Sequence, residues 1–201
     1  MWGWYKMIRN IWPSFCLLVL FTLLCGFAYP LVMMQFGQAF FAEQANGSSI
    51  EKDGKIIGSY LLAYPSQSGK EYFYARPSQA TVNDQGILIG AASNLAQTNS
   101  KMKENHESAV SQWKQDQINA DPIPVEMSFA SASGLDPNIS YTSALQQANR
   151  IAMVRGVSID DLYAMIGQYR KQVPLLKLDY VNINRLNRAL DQWPSPDDRK
   201  H

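Results

Sequence analysis

The sequence contains few of the residues on which catalytic and metal-binding sites usually depend. It has only two cysteines and two histidines in 201 residues. Cys16 and Cys25 lie nine positions apart in an apolar run near the N-terminus, so on a helix they face different sides and cannot form a disulfide. Residues 43–201 therefore contain no thiol nucleophile and no cysteine ligand for zinc. We assign no catalytic residue and no metal ligand.

Histidines and phosphate-binding glycine loops are equally scarce. A Ser-His-Asp triad would have to use His106, which lies in a polar stretch, because the other histidine, His201, is the last residue. The sequence contains no GxxxxGK[ST] motif and no kinase-type glycine loop, so we expect no direct nucleotide site. A membrane-tethered hydrolase is one alternative function, which labelling by a serine-reactive probe would support.

Charged residues are missing between Arg9 and Glu43. The apolar centre of this window, Phe15 to Met34, has about the 20 residues that cross the roughly 30 Å hydrocarbon core of a bilayer. A cleaved signal peptide is the alternative, but its apolar region is usually about 7–15 residues long and ends at a small-x-small site. Here Phe40 stands where the first small residue of that site would be expected. We therefore predict a retained transmembrane helix.

The charges that flank this helix predict its orientation. Lys6 and Arg9 precede it, whereas Glu43 is the first charge that follows. The positive-inside rule then places the N-terminus in the cytoplasm and the rest of the chain outside. The chain after the helix contains 16 of the 18 basic residues and all 17 acidic ones, so it is nearly neutral. This balance leaves no electrostatic footprint for nucleic acid.

The predicted fold class is α+β, with a single N-terminal transmembrane helix followed by one compact extracytoplasmic domain that has a small sheet and several helices. The predicted boundaries are a cytoplasmic N-terminus at 1–10, a transmembrane helix at 11–36, a linker at 37–54, the α+β domain at 55–193 and a polar tail at 194–201.

Periodicity and capping residues predict the elements of this domain. Ser140 is predicted to cap a helix that ends at Gly156, Ser158 is predicted to open the next helix in a capping box with Asp161, and Asn182 is predicted to cap the last one. The predicted strands are Lys55–Tyr64, Val125–Ala130 and Lys177–Val181.

A series of stretches spread along the chain resembles one known family. They are TLLCGFAYPL (22–31), QANGS (44–48), YFYARPSQA (72–80), ASNLAQTNSKM (92–102), SASGLDPNIS (131–140), ALQQANRIAMVRG (144–156) and VNINRLNRAL (181–190). In this order, behind one N-terminal anchor, they resemble the C subunit of the Kdp-type potassium-transporting P-type ATPase. Asn138 stands where that family usually has histidine, which indicates a divergent member.

The resemblance implies a noncatalytic accessory subunit of a high-affinity, ATP-driven potassium uptake pump in a bacterial or archaeal cell (inner) membrane. The implied partners are a channel-like, potassium-binding A subunit, an ATP-hydrolysing B subunit, a small single-span F subunit and lipid. The family's C subunit is required for assembly and is described as a catalytic chaperone that raises the ATP affinity of the B subunit, with its outer domain near the potassium entrance. We expect ATP to act through the complex, potassium to be the transported ion and no cofactor to bind this chain directly.

The loop SASGLDPN is the sharpest local feature of the sequence. Its candidate residues are a glycine that can adopt positive φ, an aspartate before proline and three polar side chains. They are Ser131, Ser133, Gly134, Asp136 and Asn138. The loop is either a rigid surface presented to a partner subunit or a structural turn between a strand and a helix.

Two further groups of residues are candidates for structural and docking roles. Arg76 is predicted to form an ion pair with Asp136 or Asp160, and Arg150 and Arg155 to pair with Asp160 or Asp161. In the membrane, small residues allow helices to approach closely. We therefore predict a docking face for the channel-like subunit, formed by Thr22, Gly26 and Ala28. A membrane-anchored extracytoplasmic sensor or binding domain unrelated to a pump is the alternative reading of the whole chain.

Overall fold

The residues that the computed structural model describes are 2–63, 69–85, 88–92, 94–117 and 122–193. Side chains are described from Arg9 onward, and the predicted polar tail at 194–201 lies outside the described residues. The chain divides into two compact units, Met1–Ser49 and Ile50–His201.

One long helix makes up most of the first unit. Helices α1 (Trp2–Leu23) and α2 (Tyr29–Phe40) are joined by a π-helical turn (Leu24–Ala28), in which the Tyr29 N–H donates to the Leu24 carbonyl five residues back. Pro30 is predicted to kink or end the helix, yet the helix continues to Phe40. Proline lacks an N–H and its ring crowds the preceding turn, and the wider π-helical turn directly before it accommodates both effects.

The segment Arg9–Phe40 is long and apolar enough to cross a membrane, and its most apolar window is unburied in the structure. Helix α2 continues beyond residue 36, so the region predicted as a linker contains the end of α2, a short helix α3 (Ala42–Ala45) and strand β1 (Ser49–Lys52). The Gln38 and Asn46 side chains exchange amide hydrogen bonds of 3.1 and 3.2 Å. These bonds fix the short turn that follows α2.

The second unit contains four α-helices and three small sheets among its described residues. The helices are α4 (Ser100–Asp116), α5 (Tyr141–Arg155), α6 (Ile159–Gln168) and α7 (Ile183–Asp191). The remaining strands are β2 (Lys55–Ser59), β3 (Thr81–Val82), β4 (Leu88–Ile89), β5 (Asn138–Ser140), β6 (Lys171–Val173) and β7 (Leu178–Asn182). Single 3₁₀ turns occur at Val125–Met127 and Pro174–Leu176. The predicted α+β class is confirmed.

Strand β7 is the centre of the largest sheet, whose order is β5-β7-β6 with both pairs antiparallel. Ile139 pairs with Val181 in this sheet, and both side chains are fully buried. Helix α5 packs against α6 and against strands β5 and β7. The core lies between these elements, and its other fully buried large apolar side chains are Phe73, Ile151, Leu162, Ile166, Ile183, Leu186 and Leu190.

Most predicted helix ends are confirmed. The Ser140 hydroxyl accepts a hydrogen bond from the Ser143 N–H, the Asn182 side chain accepts from the Arg185 N–H, and Gly156 ends α5 at φ +62°. The prediction of a capping box at Ser158 is wrong, because the Ser158 side chain makes no capping hydrogen bond. The prediction of a strand at Val125–Ala130 is also wrong, because this stretch begins with the 3₁₀ turn Val125–Met127. Apolar alternation over six residues does not separate a strand from a short irregular segment.

Candidate functional site

An extended segment crosses the core of the second unit without belonging to any strand. This segment, residues 72–80, carries Phe73, which is fully buried. Buried peptide groups that lack a partner cost free energy comparable to a lost hydrogen bond. The Tyr72 N–H donates to the Gly69 carbonyl at 3.0 Å. The other backbone N–H and carbonyl groups of residues 72–74 are paired with side chains from helices α5 and α7.

Two buried amide side chains replace the missing neighbouring strand. Asn187 accepts from the Phe73 N–H at 2.8 Å and donates to the Phe73 carbonyl at 3.1 Å. Gln147 accepts from the Tyr74 N–H at 2.7 Å and donates to the Tyr74 carbonyl at 3.3 Å. Each amide thus offers one acceptor and one donor to the same residue, as a strand partner would.

Arg150 completes this arrangement on α5. Its guanidinium donates to the carbonyls of Lys70 and Tyr72, the latter at 2.9 Å, and to the Gln147 side-chain oxygen at 3.0 Å. It also lies 4.0 Å from the centre of the Tyr74 ring. Burial lowers the pKa of the Arg150 guanidinium, and burial likewise raises the pKa of the Tyr74 hydroxyl. We call Gln147, Arg150 and Asn187 the clamp.

Arg155, one turn further along α5, bonds to the residue that directly precedes the extended segment. It donates to the Glu71 carbonyl at 2.7 Å and to the Leu190 carbonyl at 2.9 Å. Its guanidinium lies 4.0 Å from an Asp191 carboxylate oxygen, which also accepts from the Tyr72 hydroxyl at 2.7 Å. That hydrogen bond raises the pKa of Tyr72.

These contacts differ from the pairing with Asp160 or Asp161 that the sequence suggests for the two α5 arginines. Within the described ranges, the hydrogen-bond partners of Arg150 are carbonyl and amide oxygens, and the carboxylate within 4.0 Å of Arg155 is Asp191. Arg76 does lie near a predicted partner, with 3.6 Å between its guanidinium and the Asp136 carboxylate. Asp160 and Asp161 are close to the two α5 arginines in sequence. In the folded chain, the carbonyl oxygens of residues 70–72 lie closer to these arginines than the two carboxylates do.

The loop 131–138 lies against the far end of the extended segment. The Ser78 hydroxyl donates to the Gly134 carbonyl, and Arg76 donates to the Ala130 carbonyl at 3.3 Å. Within the loop, Asp136 accepts from both the backbone N–H and the side-chain amide of Asn138, at 3.0 and 3.1 Å. The structure thus brings Arg76 together with this loop and leaves Arg150 and Arg155 at the other end of the segment.

The loop residues differ in what they can present to a partner. Ser131 and Gly134 are buried, Asp136 and Asn138 are half-buried, and Ser133 is exposed. The Ser133 hydroxyl accepts from the Leu135 N–H at 3.1 Å. Each of these hydrogen bonds restricts the motion of the loop. The geometry therefore fits both interpretations of the loop, a structural turn and a rigid contact surface.

His106 packs against Phe129 and the backbone of Ser128. Its ring stacks on Phe129 with 4.5 Å between ring centres, and its Nδ1 lies 3.2 Å from the Ser128 carbonyl. The Ser128 hydroxyl itself donates to the Val125 carbonyl at 2.9 Å. Within the described ranges, no group of three His, Cys, Asp or Glu side chains could hold a metal ion.

Gln147 and Asn187 were missed by the sequence reasoning, although a signal was present. Helix α7 buries Ile183, Leu186 and Leu190, and helical periodicity places Asn187 on the same face. Gln147 likewise follows the buried Ala144 at a spacing of three. A polar residue on the apolar face of a helix indicates a buried hydrogen-bond partner.

Glu126 is a further residue that the sequence reasoning did not single out. Its carboxylate accepts from the Ser143 hydroxyl and, at 3.3 Å, from the Ser140 N–H, at the N-terminus of α5. Burial by itself would raise the pKa of Glu126, but these hydrogen bonds to Ser140 and Ser143 outweigh burial and lower it.

In the long helix, the residues predicted to form a docking face are not all on one side. Thr22 and Gly26 are four residues apart and share a side, whereas Ala28 is two residues beyond Gly26 and points elsewhere. A Cβ atom at Gly26 would meet nothing within 4 Å. The small-residue face therefore reduces to Thr22 and Gly26.

We expect Gln147→Ala to destabilise the chain by about 2–3 kcal/mol, because it leaves the half-buried N–H and carbonyl of Tyr74 and one Arg150 donor unpaired. Urea unfolding of the full chain in mild detergent measures this. The matched control is Gln146→Ala, since Gln146 makes one exposed hydrogen bond to the Pro122 carbonyl at 3.0 Å. It should cost less than about 1 kcal/mol. Equal losses for the two variants would contradict the clamp.

We expect Gly134→Ala to be more destabilising than Gly54→Ala, although both glycines have positive φ, +69° and +73°. A Cβ at Gly134 would lie 2.5 Å from the Ala91 carbonyl oxygen, whereas a Cβ at Gly54 meets nothing within 4 Å. The backbone strain of about 1 kcal/mol is common to both, and the close approach should bring the Gly134 variant to about 3 kcal/mol. Urea unfolding compares the two, and similar losses would show that the loop can move away.

The lowered pKa of Glu126 predicts how stability depends on pH. A carboxylate with a lowered folded-state pKa contributes stability above its unfolded pKa, 4.5, and loses it as the pH falls through the folded value. Glu126→Gln should therefore lose less stability than the unmodified chain as the pH falls below 4.5. Urea midpoints between neutral and acidic pH measure this, with Glu104→Gln, an exposed position on α4, as the control for net charge. An unchanged pH dependence in Glu126→Gln would contradict the prediction.

Comparisons with known proteins agree on one family. The family model described as K+-transporting ATPase, c chain, matches residues 11–192. The potassium-transporting ATPase KdpC subunit of Methylococcus capsulatus is 37% identical over 188 residues, which are 92% of this chain and 98% of the relative. The KdpC subunits of Sorangium cellulosum and Mycobacterium tuberculosis are 37% and 36% identical over 92% of this chain and cover 98% and 100% of those relatives.

Proposed function

Because this chain belongs to the family of K+-transporting ATPase c chains, we propose that it is a noncatalytic accessory subunit of a high-affinity, ATP-driven potassium uptake pump. The observation that carries the proposal is the family match over residues 11–192, which begins in the long apolar helix and ends just after α7. We further propose that the chain is needed for assembly and stability of the complex.

The proposed topology is a single pass through the bacterial or archaeal cell membrane. Lys6 and Arg9 support a cytoplasmic N-terminus, and the first acidic residue follows the helix at Glu43. The second unit would then act outside the cytoplasm, near the potassium entrance. We propose that it guides or shields the ion there.

The proposed partners are the channel-like A subunit, the ATP-hydrolysing B subunit and a small F subunit. An unburied apolar helix with a Thr22–Gly26 face supports docking within the membrane. ATP would act through the B subunit, because the sequence contains no phosphate-binding loop and the outer placement separates this chain from cytoplasmic ATP. A raised ATP affinity of the complex would then be an effect of assembly.

The experiment that tests this function is affinity purification of the detergent-solubilised chain, with mass spectrometry of the proteins that accompany it. Recovery of a large filter-bearing membrane protein together with a P-type ATPase is the expected result. An extracytoplasmic sensor or binding domain would purify without them, and that outcome would overturn the proposal.

We expect Gly26→Leu to lower the yield of co-purified partner subunits several-fold, because the larger side chain prevents close helix approach. Ala28→Leu is the matched control, since it adds similar bulk on another side of the helix. A Cβ at Gly26 would meet nothing within 4 Å, so the chain itself leaves room for a side chain to start at this position. Unchanged recovery with Gly26→Leu, or equal losses with both variants, would contradict the docking face.

A further inference from the structure

The hairpin of strands β6 and β7 ends in a tip of exposed apolar side chains. The tip is residues 174–178, in which the 3₁₀ turn Pro174–Leu176 joins the two strands. Leu175 is 93% exposed, and Leu176 and Leu178 are 62% and 54% exposed. Single exposed leucines are ordinary, whereas grouped ones mark a contact site for a protein or a membrane.

The backbone of the tip is a tight turn that places a lysine among the leucines. The Lys177 N–H donates to the Pro174 carbonyl at 3.2 Å, and Lys177 has φ +51°, in the left-handed region that glycine favours. A side chain in this region strains the backbone. A glycine would form the turn with less strain, so the lysine contributes what a glycine lacks, a charge beside the leucines.

The charge around the leucines is uniformly positive. Residues 170–178 contain three basic side chains and no acidic one. Arg170 is paired with Asp179, whereas Lys171 and Lys177 are exposed and have no ion-pair partner within the described ranges. Leucines flanked by free ammonium groups are complementary to an anionic bilayer, whose phosphates lie just outside its acyl chains.

We propose that the tip inserts into the headgroup layer of the bilayer that anchors the chain, where the bilayer contains anionic lipid. Leu175 and Leu176 meet the acyl chains, and Lys171 and Lys177 meet lipid phosphates. The long apolar helix tethers the tip to the membrane, so the effective concentration of lipid is high and a short apolar tip suffices. This inference rests on the proposed membrane anchoring and not on the role in a pump.

A second copy of the chain fits this surface less well. A two-fold contact would place the tip against itself and bring the lysines of both copies together. Strand β6 is also the edge of its sheet, and Lys171 stands on it. Lysine on an edge strand opposes pairing with the edge of another molecule.

Fluorescence of the full chain reconstituted in lipid vesicles tests the insertion. A nitrobenzoxadiazole dye is attached through Leu175→Cys in a chain that also carries Cys16→Ser and Cys25→Ser. Vesicles of phosphatidylcholine are compared with an equal mixture of phosphatidylcholine and phosphatidylglycerol. We expect emission at least about twofold higher in the anionic vesicles, and quenching by a spin label on the lipid acyl chains.

Two controls accompany this measurement. The same dye attached through Met153→Cys, on α5 at a residue that is 71% exposed, should show neither the gain nor the quenching. Flotation of the chain with the vesicles confirms that the helix anchors it, which separates a failure of anchoring from a failure of the tip. In a chain that floats, equal emission of the tip dye in both lipids, or no quenching, would overturn the proposal.

Charge variants test the part played by the lysines. Lys171→Gln combined with Lys177→Gln should remove the gain in anionic vesicles. Lys103→Gln, on α4 and 3.8 Å from Glu107, should keep it. An unchanged gain in the double variant would contradict the proposal. A signal that rises with the protein-to-lipid ratio without quenching by the lipid label would assign the tip to a second copy. A gain seen only with co-purified proteins would assign it to a protein partner, and either result would overturn insertion.

Discussion

The structure of the second unit depends on pairing the backbone of an extended segment that crosses the core without a neighbouring strand. Gln147 and Asn187 satisfy the peptide groups of Tyr74 and Phe73, and Arg150 takes the Tyr72 carbonyl. Each unpaired group would cost about 1–3 kcal/mol, a large part of a typical stability of about 5–15 kcal/mol. The clamp therefore joins α5, α7 and residues 72–74 into one body, and none of the three can shift without exposing orphan groups.

The same logic explains why the loop 131–138 is rigid without being part of a sheet. Its Gly134 approaches the Ala91 carbonyl, its Asp136 is bonded to Asn138, and its backbone accepts from Ser78 of the extended segment. Rigidity obtained this way suits a subunit of a larger complex, because a surface that is already ordered loses little entropy when it meets a partner. Arg76 belongs to this end of the segment and also lines a cavity beside α4.

Local sequence was sufficient for elements whose signals are local. The caps at Ser140 and Asn182 and the positive φ of Gly156 each depend on neighbours within a few residues, and each was predicted correctly. The strand predicted at Val125–Ala130 was wrong because its alternation is satisfied equally by a 3₁₀ turn. The partners of Arg150 and Arg155 were missed because the relevant carbonyls lie some 80 residues away in the chain.

Composition, periodicity and ordered strings of residues were enough to predict the uncharged apolar helix, the α+β class and the family. Only the folded chain shows that Gln147 and Asn187 take the role of a strand, that Glu126 bonds to Ser140 and Ser143 at the start of α5, and that Arg76 and Trp113 line one cavity. A hydrogen bond depends on which groups are brought within about 3 Å, and for these residues the chain must first fold before the partners meet.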